Sequence, residues 1–380
     1  MALAVGWFQD KFPGEVLYAV KANPSPWVLD ALYGAGLRTF DVASEAEIDL
    51  ICGRFADARL AFMHPVKSRR AIRRAYHDFG VRTFVLDSAD ELDKILAETG
   101  NARDLTLVVR LTVSNDGASL PLSGKFGIGG QEAQDLLFRT RRVAAELGVS
   151  FHVGSQCMRP VAYRAAMMEA SRLIKRAGVT VDIVDVGGGF PSIYPGMNPP
   201  PMQAYVDEIL ASFDAMGVIN NADLWCEPGR ALVAESCSIV VRVDARKGDA
   251  LYLNDGSYGN LFDATHAKWP FPVKLLREPR KMARRQAAFK FYGPTCDSID
   301  AAQGPFELPE DVREGDYLEI GMLGAYGVAM QTRFNGFGAT DEAIVTDAPW
   351  ASMYAATPLS QPQETGAVVS FPARKRKRRR

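Results

Sequence analysis

The sequence predicts an α/β protein, a (β/α)8 barrel of the TIM type followed by a C-terminal all-β domain. Three observations carry this expectation. Through residue 231, short β-rich apolar runs alternate with stretches of helical periodicity, the pattern of parallel strands joined by right-handed crossovers. Eight such runs occur, which is the number that closes a barrel. After residue 232 strand-like runs continue, but the helical periodicity between them fades.

The eight runs cover 16–20, 39–42, 58–63, 83–87, 105–111, 149–153, 181–186 and 222–226. Ser44-Glu45-Ala46-Glu47 and Ser88-Ala89-Asp90-Glu91 read as capping boxes that open helices. Residues 132–147 and 163–177 carry apolar side chains at helical spacing. In the second part, strands are expected over 238–243, 250–253, 289–292 and 317–320. The expected domains are a barrel over 14–231 and a β domain over 232–372, with 1–13 packing on the β domain and a disordered basic tail over 373–380.

Composition narrows the class. Apolar residues make up 47% and charged residues 23%, as in ordinary globular proteins. No uncharged apolar run approaches the ~18 residues of a membrane span. Asp10 and Lys11 cut short the apolar opening, which is too brief for a signal-peptide core. The five cysteines are scattered and form no C-x-x-C pair, which argues against a disulfide framework or a zinc site and fits a reducing cytoplasm. Residues 374–380 are all Arg or Lys; without them 37 basic residues face 45 acidic ones, so the body sits near −8. This tail has no apolar periodicity and reads as a solvated end or as a nonspecific contact to a polyanion such as nucleic acid. The acidic body is compatible with a cationic substrate.

In such barrels the chemistry sits at the C-terminal strand ends. Those ends carry Lys21, Asp41, His64, Asp87, Arg110, His152, Gly187–Gly189 and Glu227. Lys21 follows the apolar run Leu17-Tyr18-Ala19-Val20; partial desolvation is expected to lower its pKa and make it a usable amine nucleophile. Alone, a lysine at a strand end is more often a snorkelling surface residue, and it is the surrounding constellation that reverses those odds. Gly187, Gly188 and Gly189 let backbone amides approach an anion, or make a tight turn; their spacing is neither a dinucleotide fingerprint nor a P-loop. Glu227-Pro228-Gly229-Arg230 places an acid that needs a cation beside an arginine suited to phosphate, or a structural ion pair. In the β domain the turns hold polar clusters, among which Cys296 beside Asp297 stands out.

Ten motifs occur in order between about residue 12 and residue 346: Y-A-V-K-A-N (18–23), F-D-V-A-S (40–44), K-F-G (125–127), H-V-G-S-Q (152–156), G-G-G-F (187–190), E-P-G-R (227–230), N-D-G-S-Y-G (254–259), G-P-T-C-D (293–297), G-A-Y (324–326) and F-N-G-F (334–337). Together they resemble the ornithine decarboxylase group of fold-type III, alanine-racemase-like enzymes that depend on pyridoxal 5'-phosphate. The resemblance implies that Lys21 holds the cofactor as a Schiff base and that His152 stacks on its ring. It implies that Glu227 keeps the pyridine nitrogen protonated. Ser155, Gly189, Gly229, Arg230 and Tyr326, with Gly187, Gly188 and Pro228, are implied to form the phosphate cradle. Asp41, Glu47 and Arg110 are implied as a layer around Lys21. Cys296 is similar to the residue that returns a proton to the α-carbon, supplied in this family by the neighbouring subunit of a homodimer. Phe262, Asp263, Asp297, Tyr258 and Phe334 are implied on the substrate side.

The resemblance departs in two places. The loop from Tyr258 to Phe262-Asp263 is short, and only 20 residues precede Lys21 where the family has some tens, so a truncated start is one expectation. The implied activity is decarboxylation of ornithine, with lysine beside it, since one methylene is worth only ~1–3 kcal/mol in a pocket. That reaction makes putrescine, a polyamine precursor. The rivals are diaminopimelate decarboxylase, whose relatives carry Cys-Glu where this chain has Cys296-Asp297; an amino-acid racemase, which places arginine where Glu227 stands; and a non-catalytic regulatory homologue, which typically loses cofactor contacts.

Overall fold

The computed structural model describes residues 1–121, 124–218 and 221–354. Eight parallel strands close into a barrel: Glu15–Ala19, Thr39–Val42, Arg59–Phe62, Thr83–Leu86, Thr106–Arg110, Glu146–Ser150, Ile183–Asp185 and Asp223–Cys226, each paired with its sequence neighbours and the last with the first. The capping boxes form: Ser44 Oγ accepts the Glu47 amide, and Ser88 Oγ accepts the Glu91 amide. One expected helix is corrected. The segment predicted over 132–147 is helical only over Gly130–Arg141. Glu146 and Leu147 pair with Thr106 and Leu107, so the barrel ladder overrides the local helical spacing there.

Strand alternation places the site. Leu17, Ala61, Met63, Val85 and Val108, with Trp225 packed against them, form a separate apolar cluster inside the barrel. Their outward neighbours Tyr18, Phe62, Phe84, Leu107 and Leu224 join the main core beneath the helices. The inward series continues past the interior plug to Ala19, Arg110 and Glu227, and to Lys21 on the short 3-10 turn Val20–Ala22. The register that fills the barrel therefore also delivers a polar rim at its C-terminal mouth.

The second part is a six-stranded sheet in the order Val273–Leu275, Tyr317–Ile320, Ile239–Lys247, Ala250–Leu253, Gln286–Tyr292, Ala301–Pro309. Two of these strands go beyond the sequence expectation. Ala301–Pro309 contains Gly304-Pro305, which reads as a turn, and Val273–Leu275 is only three residues long. A small antiparallel pair, Ala118–Leu120 with Ser155–Cys157, also not expected, brings Ser155 to the barrel mouth.

The N-terminal segment differs from expectation as well. Helix Ala2–Lys11 packs on the barrel, not on the β sheet: Phe8 meets Phe190 edge-on at 5.3 Å, and Trp7 meets Tyr354 at 5.9 Å. Tyr354 in turn donates to the Ala231 carbonyl. The buried face of this helix is Ala4, Val5 and Phe8, so aromatic packing at the barrel end decides its place. Among the described residues no helix is long and apolar enough to cross a membrane. The basic run 374–380 lies outside the described residues.

Candidate active site

A cavity of about 450 Å³ opens at the barrel mouth. Its wall includes Lys21, Arg110, His152, Ser155, Gly188, Gly189, Glu227, Gly229, Arg230 and Tyr326. Asp41, Glu47, Gly187 and Pro228 are not part of the wall. Asp41 and Glu47 stand close behind it, and Gly187 makes the turn that aims its neighbours: its φ is +68°, and a Cβ there would lie 2.1 Å from the Phe151 carbonyl oxygen.

Lys21 Nζ donates to Asp41 Oδ2 at 2.8 Å. Burial pulls the lysine pKa down, but the negative charges of Asp41 and Glu227 outweigh it, and the net shift is upward. The expected lowering is thus corrected: the carboxylates that surround the amine hold it as an ammonium. Glu47 Oε2 accepts the Ala43 amide at 2.6 Å, and burial raises its carboxyl above the usual range.

Glu227 is buried, and burial together with the nearby carboxylates of Asp185 and Asp41 pushes its pKa well up. Asp185, which the sequence reading did not single out, ends the seventh strand on the inward side. Its carboxyl is raised to about 6, chiefly by burial, although Glu227 and the Gly187 amide hydrogen-bond to it. Oε1 of Glu227 and Oδ2 of Asp185 have no hydrogen-bond partner among the described residues. Two adjacent buried carboxyls with raised pKa values, Glu227 in the cavity wall and Asp185 behind it, call for a cationic N–H. The signal for Asp185 was its inward parity, two residues after Ile183.

His152 accepts the Gly154 amide on Nδ1 at 2.9 Å, which leaves the proton on Nε2. Burial, with help from Arg110 and Lys21, drives its pKa well below the usual value, so the ring is neutral and presents an uncharged face. Asn115 supports it by donating to the His152 carbonyl at 2.9 Å.

At the other end Arg230 is buried. Its Nη1 donates to Tyr194 Oη at 2.9 Å and to Asp263 Oδ2 at 2.5 Å, and its Nη2 lies 3.5 Å from Ser155 Oγ. The Nε has no partner among the described residues. The rings of Tyr326 and Trp269 lie 5.0 and 5.2 Å from the guanidinium. Nor do the amides of Gly188, Gly189 and Gly229 donate to any protein group among the described residues. Spare N–H donors around Ser155 suit a phosphate, and the carboxyl pair suits a protonated ring nitrogen. These residues therefore fit pyridoxal phosphate.

The residues expected on the substrate side divide in two. Tyr258, Cys296, Asp297 and Phe334 come together on the β domain, outside the cavity wall. Tyr258 Oη donates to Asp297 Oδ2 at 2.6 Å, which holds that carboxyl below its ordinary range, and the Tyr258 and Phe334 rings are 4.8 Å apart. The exposed Cys296 donates from its Sγ to Asn335 Oδ1 at 3.3 Å, a partner the sequence reading missed. Phe262 and Asp263 lie elsewhere. Asp263 is buried against Arg230, and Phe262 stacks on His266.

The family model for the pyridoxal-dependent decarboxylase, pyridoxal binding domain, matches residues 4–234. The lysine/ornithine decarboxylase of Selenomonas ruminantium is 33% identical over 344 residues, 88% of this chain and 84% of that protein. Antizyme inhibitor 2 of Xenopus laevis is 32% identical over 358 residues, covering 84% and 73%. Among solved structures, a double mutant of SrLDC in complex with PLP matches with a TM-score of 0.77 at 29% identity, covering 88% and 87%. The arginine decarboxylase of Paramecium bursaria Chlorella virus bound to agmatine matches at 0.77 and 27%, covering 89% and 93%. The lysine/ornithine decarboxylase of Vibrio vulnificus complexed with putrescine matches at 0.74 and 27%, covering 88% and 90%. A family match that spans the whole barrel, agreeing with a cavity built for a ring cation at one end and a phosphate at the other, leaves one conclusion: this chain belongs to the pyridoxal-phosphate-dependent decarboxylases that act on basic amino acids.

Proposed function

We propose that the chain converts L-ornithine to putrescine, and lysine to cadaverine as a second reaction, in the cytoplasm and as a homodimer whose two sites are shared. The observation that carries this reading is Asp297 beside Cys296. Asp297 is an ionised, outward-facing carboxylate held by Tyr258, and a substrate's distal ammonium needs such a partner. Within the cavity wall the only carboxylate among the described residues is Glu227, which faces the ring-nitrogen end. The distal partner is then supplied by a second copy. Ile299, Phe334 and Phe337, 69%, 42% and 42% exposed around Cys296, support a covering chain at that face.

Pyridoxal phosphate, when bound, supplies an electron sink for the pair left on the α-carbon as CO2 departs. The protein's part is positioning and proton control. Lys21 offers its amine at the mouth of the barrel, steered by Asp41. Glu227, backed by Asp185, favours a proton on the ring nitrogen. Neutral His152 gives the ring a flat, uncharged neighbour. Arg230, Ser155 and the glycine amides take the phosphate. Cys296 of the second copy returns a proton to the α-carbon.

The similarity to an antizyme inhibitor favours a second reading, a regulatory homologue. The presence of Lys21, Glu227, Arg230 and Cys296 weighs against it. The deciding assay measures CO2 release by the holo-protein from ornithine, lysine, arginine and meso-diaminopimelate in parallel. Ornithine should be fastest; preference for diaminopimelate, or no release at all, would reject the proposal. Asp297→Ala should raise KM for ornithine on the order of 100-fold, the cost of leaving a buried ammonium unpaired, with cofactor binding intact. An unchanged KM would reopen the diaminopimelate reading.

Asp185→Asn should separate stability from activity. In the protein without cofactor the raised Asp185 carboxyl favours folding while protonated, and that contribution is lost as pH rises through about 6. The amide removes one charge of the pair. Melting of the apo-protein at pH 8 should rise by about 2 °C, with little change at pH 5. With one negative charge fewer behind the ring nitrogen, kcat should fall about tenfold. Parallel losses in both measurements would contradict the pairing.

A further inference from the structure

The phosphate end of the cavity is made from two separate loops. Ser155 comes from the loop after the sixth strand, and Gly188 and Gly189 come from the loop after the seventh. Between them lies Gln156, fully buried and in the left-handed backbone region at φ +55°. A side chain other than glycine, asparagine or aspartate rarely takes that conformation, and it persists only where the surroundings hold it. The Gln156 side chain supplies the hold. Its Oε1 accepts the Ser192 amide at 3.1 Å, and its Nε2 donates to the Ser192 carbonyl at 2.6 Å. This amide thus clamps the backbone three residues beyond Gly189. The adjacent Cys157 amide donates to the Gly189 carbonyl at 2.8 Å, in the same direction across the gap.

The two loops also touch without room to slide. A Cβ on Gly189 would lie 2.5 Å from the Gly154 carbonyl oxygen. Bound pyridoxal phosphate would meet donors from both loops, so their separation would decide whether Ser155 Oγ and the Gly188 and Gly189 amides reach its phosphate together. We infer that Gln156 is a positioning residue that sets the width of the phosphate cradle, and that its strained backbone is retained because the side chain must cross to Ser192 from that point. The inference rests on the family's cofactor dependence and is independent of which amino acid is decarboxylated.

The test compares two cofactor forms. Pyridoxal lacks the phosphate and uses the ring end of the site alone. Gln156→Gly removes the clamp and relieves the backbone; Gln156→Asn keeps a side chain that tolerates the left-handed region but is one methylene too short to reach Ser192. Dissociation constants for both ligands are read from cofactor absorbance on the full-length apo-protein, with wild type alongside. In both variants pyridoxal phosphate should bind about tenfold more weakly, the scale of two lost buried hydrogen bonds, while pyridoxal binding stays within about twofold. Equal weakening of both ligands would overturn the inference by showing a general loss of structure, and unchanged binding of both would overturn it by showing that the clamp is idle. A wild-type protein that binds neither would instead refute the cofactor assignment.

Discussion

Lys21→Ala should abolish decarboxylation, a fall of at least about 10³-fold, because it removes the group proposed to hold the cofactor covalently. Two lysines line the cavity, Lys21 and Lys125, so the assignment is a real choice. Lys125 lies over the face of the neighbouring Phe126 ring, 4.9 Å from its centroid, in the loop above the cavity. Lys21 ends the inward series of the first strand, touches Asp41, and feels Glu227. Borohydride treatment of the holo-protein followed by peptide mapping should find the cofactor on Lys21; a label on Lys125 would refute the assignment. The raised Lys21 pKa adds a kinetic signature. Only the unprotonated amine attacks the cofactor's aldehyde. Burial lowers the pKa and the carboxylates more than restore it, so the free-amine fraction should climb about tenfold per pH unit through neutrality. The rate of covalent capture by the apo-protein should therefore rise from pH 7 to pH 9 without a plateau. A plateau near neutrality would mean that the amine titrates well below the ordinary lysine range.

What could be read in the sequence divides along the same physical lines. The barrel was legible because each strand is short, apolar and bounded by polar residues, and strand alternation ties the interior plug to the rim. Lys21, Arg110, His152 and Glu227 follow from that parity, and Asp185 would have followed from it too. The sixth strand was misplaced because Glu146 and Leu147 continue a helical spacing that only the ladder to Thr106 and Leu107 interrupts. Ala301–Pro309 was hidden by Gly304-Pro305, and the N-terminal helix was assigned to the wrong neighbour because a contact such as Phe8 on Phe190 leaves no periodic trace. The sign of the Lys21 shift was misjudged because one strand shows its apolar flank, whereas Asp41 and Glu227 arrive from two other strands. Asp263 was assigned to the substrate by motif order, while its contact with Arg230 joins residues 33 apart and leaves no local trace.

Mixing two inactive variants should restore activity to roughly a quarter of wild type. The pair is Lys21→Ala and Cys296→Ala, and the reasoning is geometric. The cavity wall draws its lysine, imidazole, carboxylate and phosphate donors from the barrel, and none of Tyr258, Cys296, Asp297 or Phe334 reaches it within one chain. Those four instead cluster on the β domain with exposed Ile299, Phe334 and Phe337 beside them. A two-fold operator that brings the β-domain cluster of one copy over the barrel mouth of another makes two equivalent sites, each built from both chains. In a mixed dimer of the two variants, one site then receives both lesions and the other receives neither. After free exchange of equal amounts, half the dimers are mixed and half of their sites are intact, which gives the quarter. Subunit exchange is checked separately by mass-tagged copies. Recovery near a quarter supports shared sites. Exchange without recovery would mean that each site is completed by its own chain, with the β-domain cluster swinging onto the barrel mouth of the same copy.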